Sequence, residues 1–263
     1  DKTMDDYNTN ANYRKWNYRM NLDIDVTRTS LLKLGLSGSL AKVNDTGRGS
    51  DAVWTSLMGY NPTMTPVLYS NGYVPAWGDA DGFNPWVQTT QTGYRESWQN
   101  NIQATLEFIQ NLDMITKGLK FTFRFGYDTY NSNYITRTKW PAQYKATPRY
   151  RDNDGNLVFT RVAAERLMQQ ESGSSGSRNE FLEWFINYNR TFAKTHHVGA
   201  TLKYSQQSKI QTQNLGTDLK NGLPRRNQGL AGRVEYNWNY RYYINFNFGY
   251  TGSENFHKDH RWG

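Results

Sequence analysis

The chain has 263 residues, 15% of them aromatic, with 31 basic and 23 acidic side chains, a formal charge of +8 and a mean hydropathy of −0.87. It contains no run of eighteen apolar residues, so a transmembrane helix is not expected to organise it. Basic residues mostly stand singly, coming close together in short pairs such as Arg225–Arg226 and Arg137 with Lys139, so no nucleic-acid surface is expected. A basic interior that attracts anionic solutes, or balances acids elsewhere in a larger barrel, is the better reading of the charge.

The first predicted element is the clearest. Trp16, Tyr18, Met20, Leu22, Ile24 and Val26 alternate strictly with Asn17, Arg19, Asn21, Asp23 and Asp25. Period two over such a length is a β-strand with one wet and one apolar face. At ~3.3 Å per residue and a tilt of ~45°, the segment rises ~25 Å, the height of the apolar band on an outer-membrane barrel. Soluble sandwiches use strands of about 5–6 residues. The same alternation returns at residues 32–40, 98–108, 119–127, 182–192, 198–204, 230–238 and 242–250, with Phe185 interrupting one polar face. About eight spanning strands are predicted between Arg14 and Asn255, with Tyr134–Trp140 an extension above the membrane.

Connections alternate in length. Short ones fall at Thr27–Ser30, Asp113–Gly118, Ala193–His196 and Asn239–Arg241, and long ones at residues 42–93, 131–178 and 206–228. Short periplasmic turns opposite long extracellular loops are the architecture of outer-membrane barrels. The predicted fold is therefore all-β, an antiparallel transmembrane β-barrel segment spanning residues 1–263. Residues 42–93 form a long extracellular loop within it.

Strand parity then assigns faces. Trp16, Tyr18, Leu22, Ile24, Leu34, Leu106, Phe123 and Phe246 are expected to face lipid, and Arg19, Asp23, Lys120, Arg124, Arg233 and Glu235 the interior. Trp16, Tyr18, Trp98, Tyr127, Trp184, Tyr204 and Tyr250 fall near the outer strand ends, and Phe108, Phe192, Tyr236, Trp238 and Tyr242 near the inner ends. Rings at both interfaces with aliphatics between them match a membrane girdle. The competing reading is the core of a soluble β-sandwich.

Candidate chemistry is sparse. His196 and His197 sit in a short turn, and His257 and His260 flank Asp259 without a third ligand at defined spacing. Asp23 and Asp25 share a face, where pairing with basic residues on neighbouring strands outweighs an acid pair. Glu171–Ser177 is expected to be a flexible loop tip rather than a phosphate loop. Neither catalytic residues nor a cofactor or metal site is expected. The densest segment is Val53–Val87, with a short helix predicted over Asp51–Met58 and stiffening prolines after it. Its Tyr69, Tyr73, Trp77 and Trp86 are candidate contacts for a substrate or a covering partner, the alternative being that they pack the loop onto the wall.

Several stretches resemble the SusC/RagA family of TonB-dependent outer-membrane transporters. Arg226–Tyr236 carries GLAGR, and Arg241–Phe256 carries RYY, FGY and GSENF, similar to a hairpin of that family. Tyr13–Thr27 resembles an early barrel strand, Leu57–Trp77 a loop entering the vestibule, and Gly118–Phe121 with Phe125–Asp128 a further strand. The resemblance implies nutrient import across the outer membrane of a Gram-negative bacterium. The solute is an oligosaccharide or oligopeptide, handed over by a SusD-like surface lipoprotein and moved with TonB energy. A passive porin or structural barrel is the alternative. The family carries a plug domain and a barrel of about 22 strands. Neither a plug nor a TonB-contacting segment is found here, so the partners implied are the remainder of the barrel and plug, TonB through the N-terminal part, the lipoprotein and outer-membrane lipid. If the chain were complete, a closed eight-stranded barrel would be expected instead.

Overall fold

In the computed structural model, the described residues are 7–61, 63, 65–76 and 84–263. Eleven strands occur in chain order: β1 (Asn12–Thr27), β2 (Ser30–Thr46), β3 (Val74–Pro75), β4 (Gly93–Asn111), β5 (Leu119–Trp140), β6 (Gln143–Arg151), β7 (Leu157–Ala163), β8 (Arg166–Phe192), β9 (His196–Gln213), β10 (Arg225–Trp238) and β11 (Tyr242–Ser253). Two helices, α1 (Ser50–Gly59) and α2 (Pro85–Thr90), lie between β2 and β4. Eight long strands form one antiparallel sheet in the order β1-β2-β4-β5-β8-β9-β10-β11, and β3, β6 and β7 form a second, three-stranded sheet. The all-β expectation of about eight long antiparallel strands holds. β1 and β11 end the order, and no pairing between them is found among the described residues.

The strands outrun their predicted lengths. β8 covers 27 residues and takes in Glu171–Ser177, which is strand rather than a flexible tip. Its glycines are used for approach: a Cβ on Gly173 would strike the Tyr134 ring, and one on Gly176 would meet Thr212 and Asn131. Small residues there leave room for neighbouring side chains, which a composition-based loop prediction does not see.

The described residues fall in two compact units, one drawn from 1–15, 41–98 and 133–173, the other from 16–40, 99–132 and 174–263. The first has a conventional if small core. Val74 and Val87 are buried, with Leu68 and Trp140 packed against them, and Tyr94 is 1% exposed. α2 is started by Pro85 at the first turn, while the Asn84 side chain accepts from Val87 N–H at 2.8 Å, the usual way to satisfy an orphan N-terminal donor.

The second unit inverts that rule. Every buried hydrophobic residue among those described lies within 41–94, whereas Phe246, Val234, Leu22, Ile24 and Tyr242 are exposed by 38–67% along with Ile244. Register explains the pattern. Residues directly opposite in antiparallel strands share a face. Trp184, Tyr204, Leu230 and Tyr250 form one row, Ile186, Leu202, Gly232 and Phe248 the next, and Tyr188, Ala200, Val234 and Phe246 a third. Below them Phe192 and His196 align with Trp238 and Tyr242, whose rings stack at 5.5 Å. The Trp184 and Tyr204 rings stack at 5.8 Å. The outer and inner ring rows are thus eight residues apart on β8, roughly 26 Å along the strand. Arg190 is the one charge in these rows; its guanidinium lies 4.8 Å from the Phe192 ring and reaches Thr116, a long side chain turned toward the strand end.

Tight turns close the inner ends. Gly118 has φ +89° and approaches Asn189 so closely that a Cβ would overlap its carbonyl oxygen, while its N–H donates to Asp113 at 2.7 Å. On the free edge of β11, Thr251 N–H donates to Gly263 at 3.1 Å and Ser253 N–H to Arg261 at 2.9 Å. Trp262 stacks on Tyr250 at 5.2 Å.

Candidate solute-facing surface

The opposite face of the same strands is polar row by row: Glu183, Ser205, Gly229 and Thr251; Asn187, Thr201, Arg233 and Asn247; Asn189, Gly199, Glu235 and Asn245. Its charges are largely paired. Lys33 lies 3.7 Å from Asp23, and Arg233 is 2.7 Å from Glu235. At the centre, Glu183 is only 4% exposed and is held by both Arg124 (3.2 Å) and Lys203; Arg124 also binds Glu107. A buried carboxylate survives only with such compensation. Phe185, which breaks the polar alternation, is placed by the same group: its ring lies 5.0 Å from the Arg124 guanidinium, a cation–π contact. Arg19 and Lys120 are exposed and have no ion pair among the described residues.

A cleft of about 740 Å³ is lined by Asp23, Gly35, Thr105, Arg124, Gly126 and Glu183 together with Leu34, Leu106, Phe125 and Phe181. A Cβ on Gly35 would meet Thr105 Oγ1 at 2.5 Å, so the bare backbone there is filled by a neighbour's polar side chain. Leu34 and Leu106 alternate with these polar residues, as Phe123 does with Arg124. On β1, Trp16, Tyr18, Leu22 and Ile24 are exposed, and the Tyr18 ring lies over Gly38.

The four loop aromatics are not one constellation. Tyr69 and Tyr73 flank the Asn71-Gly72 turn, where Gly72 takes φ +83° and donates to the Tyr69 carbonyl at 2.9 Å. Tyr73 stacks on Tyr144 at 4.0 Å, and Phe159 meets Tyr69 and Tyr73 edge-on at 4.8 and 5.4 Å. The Tyr69 hydroxyl accepts from Ala146 N–H at 3.3 Å. This pair therefore anchors its segment to the small sheet, leaving Tyr73 40% exposed. Trp86 sits on α2, 37% exposed, away from that ring cluster. Trp77 lies outside the described residues. α1 forms as predicted, and its Trp54, Leu57 and Met58 are exposed. Burial raises the pKa of the Tyr60 hydroxyl, which donates to the Thr65 carbonyl.

Sequence reading missed the three-stranded sheet, the central role of Glu183 and the polar-face ring of Phe181. The periodicity of β8 extends outward past Leu182, and following its odd positions through Phe181 and Asn179 would have found that ring. The histidines are local: His196 Nδ1 is 2.6 Å from the Tyr236 hydroxyl, His197 Nδ1 is 2.8 Å from Thr191 Oγ1, and His257 pairs with Asp259 at 3.2 Å.

The sequence matches no family model and no curated protein. In fold it is similar to the RagAB peptide transporter, with a TM-score of 0.58 and 16% identity over 96% of this chain and 29% of that one. It is also similar to the RagAB peptide importer in the "closed-closed" state, with a TM-score of 0.61 and 14% identity over the same shares. The chain thus spans 29% of the length of the solved chains it matches. At such identity the likeness is one of fold, and it agrees with the SusC/RagA resemblance in the sequence.

Proposed function

We propose that this chain is part of the wall of an outer-membrane transporter that imports an oligosaccharide or oligopeptide. The observation that carries the proposal is the two-faced sheet: one face is apolar and exposed in register rows across β8 to β11, the other polar with ion pairs at its centre. An exposed apolar surface of that extent needs lipid rather than water against it. On this reading Leu22, Ile24, Leu34, Leu106, Phe123 and Phe246 contact acyl chains, and Trp16 and Tyr18 the outer interface. Arg19, Asp23, Lys120, Arg124, Arg233 and Glu235 line the lumen. The free edges of β1 and β11 are completed by further strands, since hydrocarbon does not tolerate unpaired backbone.

The fold likeness to a peptide transporter supports import, and the SusC/RagA resemblance adds TonB energy, a plug and a SusD-like lipoprotein as partners. No reaction is assigned to this segment. Tyr73 and Trp86, being part-exposed, are the rings proposed to meet solute or lipoprotein, with Trp77; Tyr69 positions Tyr73. Uptake that disappears when TonB is deleted, and weakens in Trp86→Ala at normal surface abundance, is the expected result. Uptake indifferent to TonB and to the proton gradient would instead indicate a passive porin.

A further inference from the structure

We infer that the outer end of the polar face on β8, β9 and β10 holds a seat for the terminal carboxylate of an oligopeptide, an inference that rests on the import reading. Lys209 and Arg225 stand directly opposite each other in the β9–β10 register. Like charges in facing positions repel. Neither has an ion pair among the described residues, and both are exposed. They share a cleft of about 280 Å³ with Lys220, Ser177, Gln211 and Asn221, and no acidic side chain lines it. Lys220 is delivered by the short 3-10 turn Leu219–Gly222, which Asp218 caps by accepting from Lys220 N–H at 2.9 Å. Three cations around this small recess leave an excess of positive charge that a bound anion reduces. Arginine offers the paired N–H geometry that fits a carboxylate.

The adjoining row argues for a peptide. One step inward, ~6.6 Å along the strands, Phe181, Gln207 and Asn227 lie side by side. Gln207 donates to Asn179 at 2.8 Å, which leaves its carbonyl oxygen open, and the Asn227 side chain has no hydrogen-bond partner among the described residues. Two side-chain amides match the donor and acceptor of one peptide unit, and Phe181 supplies an apolar seat for a side chain.

The test uses the intact protein purified in detergent, with tetra-alanine, tetra-alanine C-terminal amide and trigalacturonate as calorimetric probes and no energy source. The free acid is expected to bind at least about tenfold tighter than the amide. That preference should collapse toward unity in Lys209→Gln/Arg225→Gln and shrink in Lys220→Gln, whose turn lies outside the strands. Equal affinity for acid and amide, no binding of either, a preference that survives the substitutions, or binding of trigalacturonate alone overturns the inference. Loss of the import reading is separable: TonB-independent uptake with acid-selective binding retained removes that reading and leaves the seat.

Discussion

Placing the same charge on adjacent residues of β11 separates the two faces. Phe246 is 63% exposed and lies opposite Val234, while Asn245 lies opposite Glu235 on the other face. Phe246 is four residues beyond the Tyr242 ring row, ~13 Å along the strand and ~9 Å in depth at a tilt of ~45°, near the middle of a ~25 Å apolar band. Phe246→Arg at that depth is expected to cost about 2–4 kcal/mol, a reduction of roughly 30- to 1000-fold in the folded-to-unfolded ratio. Asn245→Arg gains a cross-strand carboxylate and should change stability by less than about 1 kcal/mol. Denaturant unfolding of the intact protein in phospholipid vesicles measures both, and spin labels at 245 and 246 report water and lipid contact independently. Equal costs for the two variants, or equal water accessibility at the two labels, would refute the assignment of faces.

Removing both cations from Glu183, as in Arg124→Met/Lys203→Met, strands a buried carboxylate and should cost up to about 3–5 kcal/mol, with each single change costing much less; additive singles in a denaturant series would count against a shared site. Gly118→Ala combines φ +89° with a Cβ overlapping Asn189 and should destabilise by roughly 1–3 kcal/mol, whereas unchanged unfolding would mean the turn relaxes freely. In the β6–β7 turn, hydrogen bonds from Asn156 first, with further ones from Asp154 and Gly155, hold the Asp152 carboxyl below its usual pKa against an opposing desolvation. A depressed folded pKa means that this turn's contribution is present above the ordinary carboxylate pKa and lost as pH falls below about 4. Loss of protection at the Asn156 amide, measured against its intrinsic exchange rate, is expected as pH falls, and an Asp152 titration at or above the ordinary value would contradict it.

The eight long strands were legible because period-two alternation is a direct readout of a pleated ribbon with two unlike faces. Residues 16–26 and 242–250 needed nothing more. The short turns were legible too, and Gly118 and Asn239 are residues that positive φ favours, although Tyr240 also takes φ +55°. Beyond the alternating cores, local pattern no longer decides structure: Glu171–Ser177 reads as a loop, yet it is strand, with Gly176 and Ser177 paired to β9 and Gly173 leaving room for the Tyr134 ring. Pairing partners are equally silent in one dimension. Only the register brings Arg124, Glu183 and Lys203 together across 79 residues of sequence separation. Only the register turns Arg225, read as half of a basic pair, away from Arg226, whose partner is Glu254 at 3.5 Å, and toward Lys209. Sequence fixes which way each side chain points along a strand; which strands lie side by side, and hence which charges compensate and which are left over, is set by long-range hydrogen-bonded pairing.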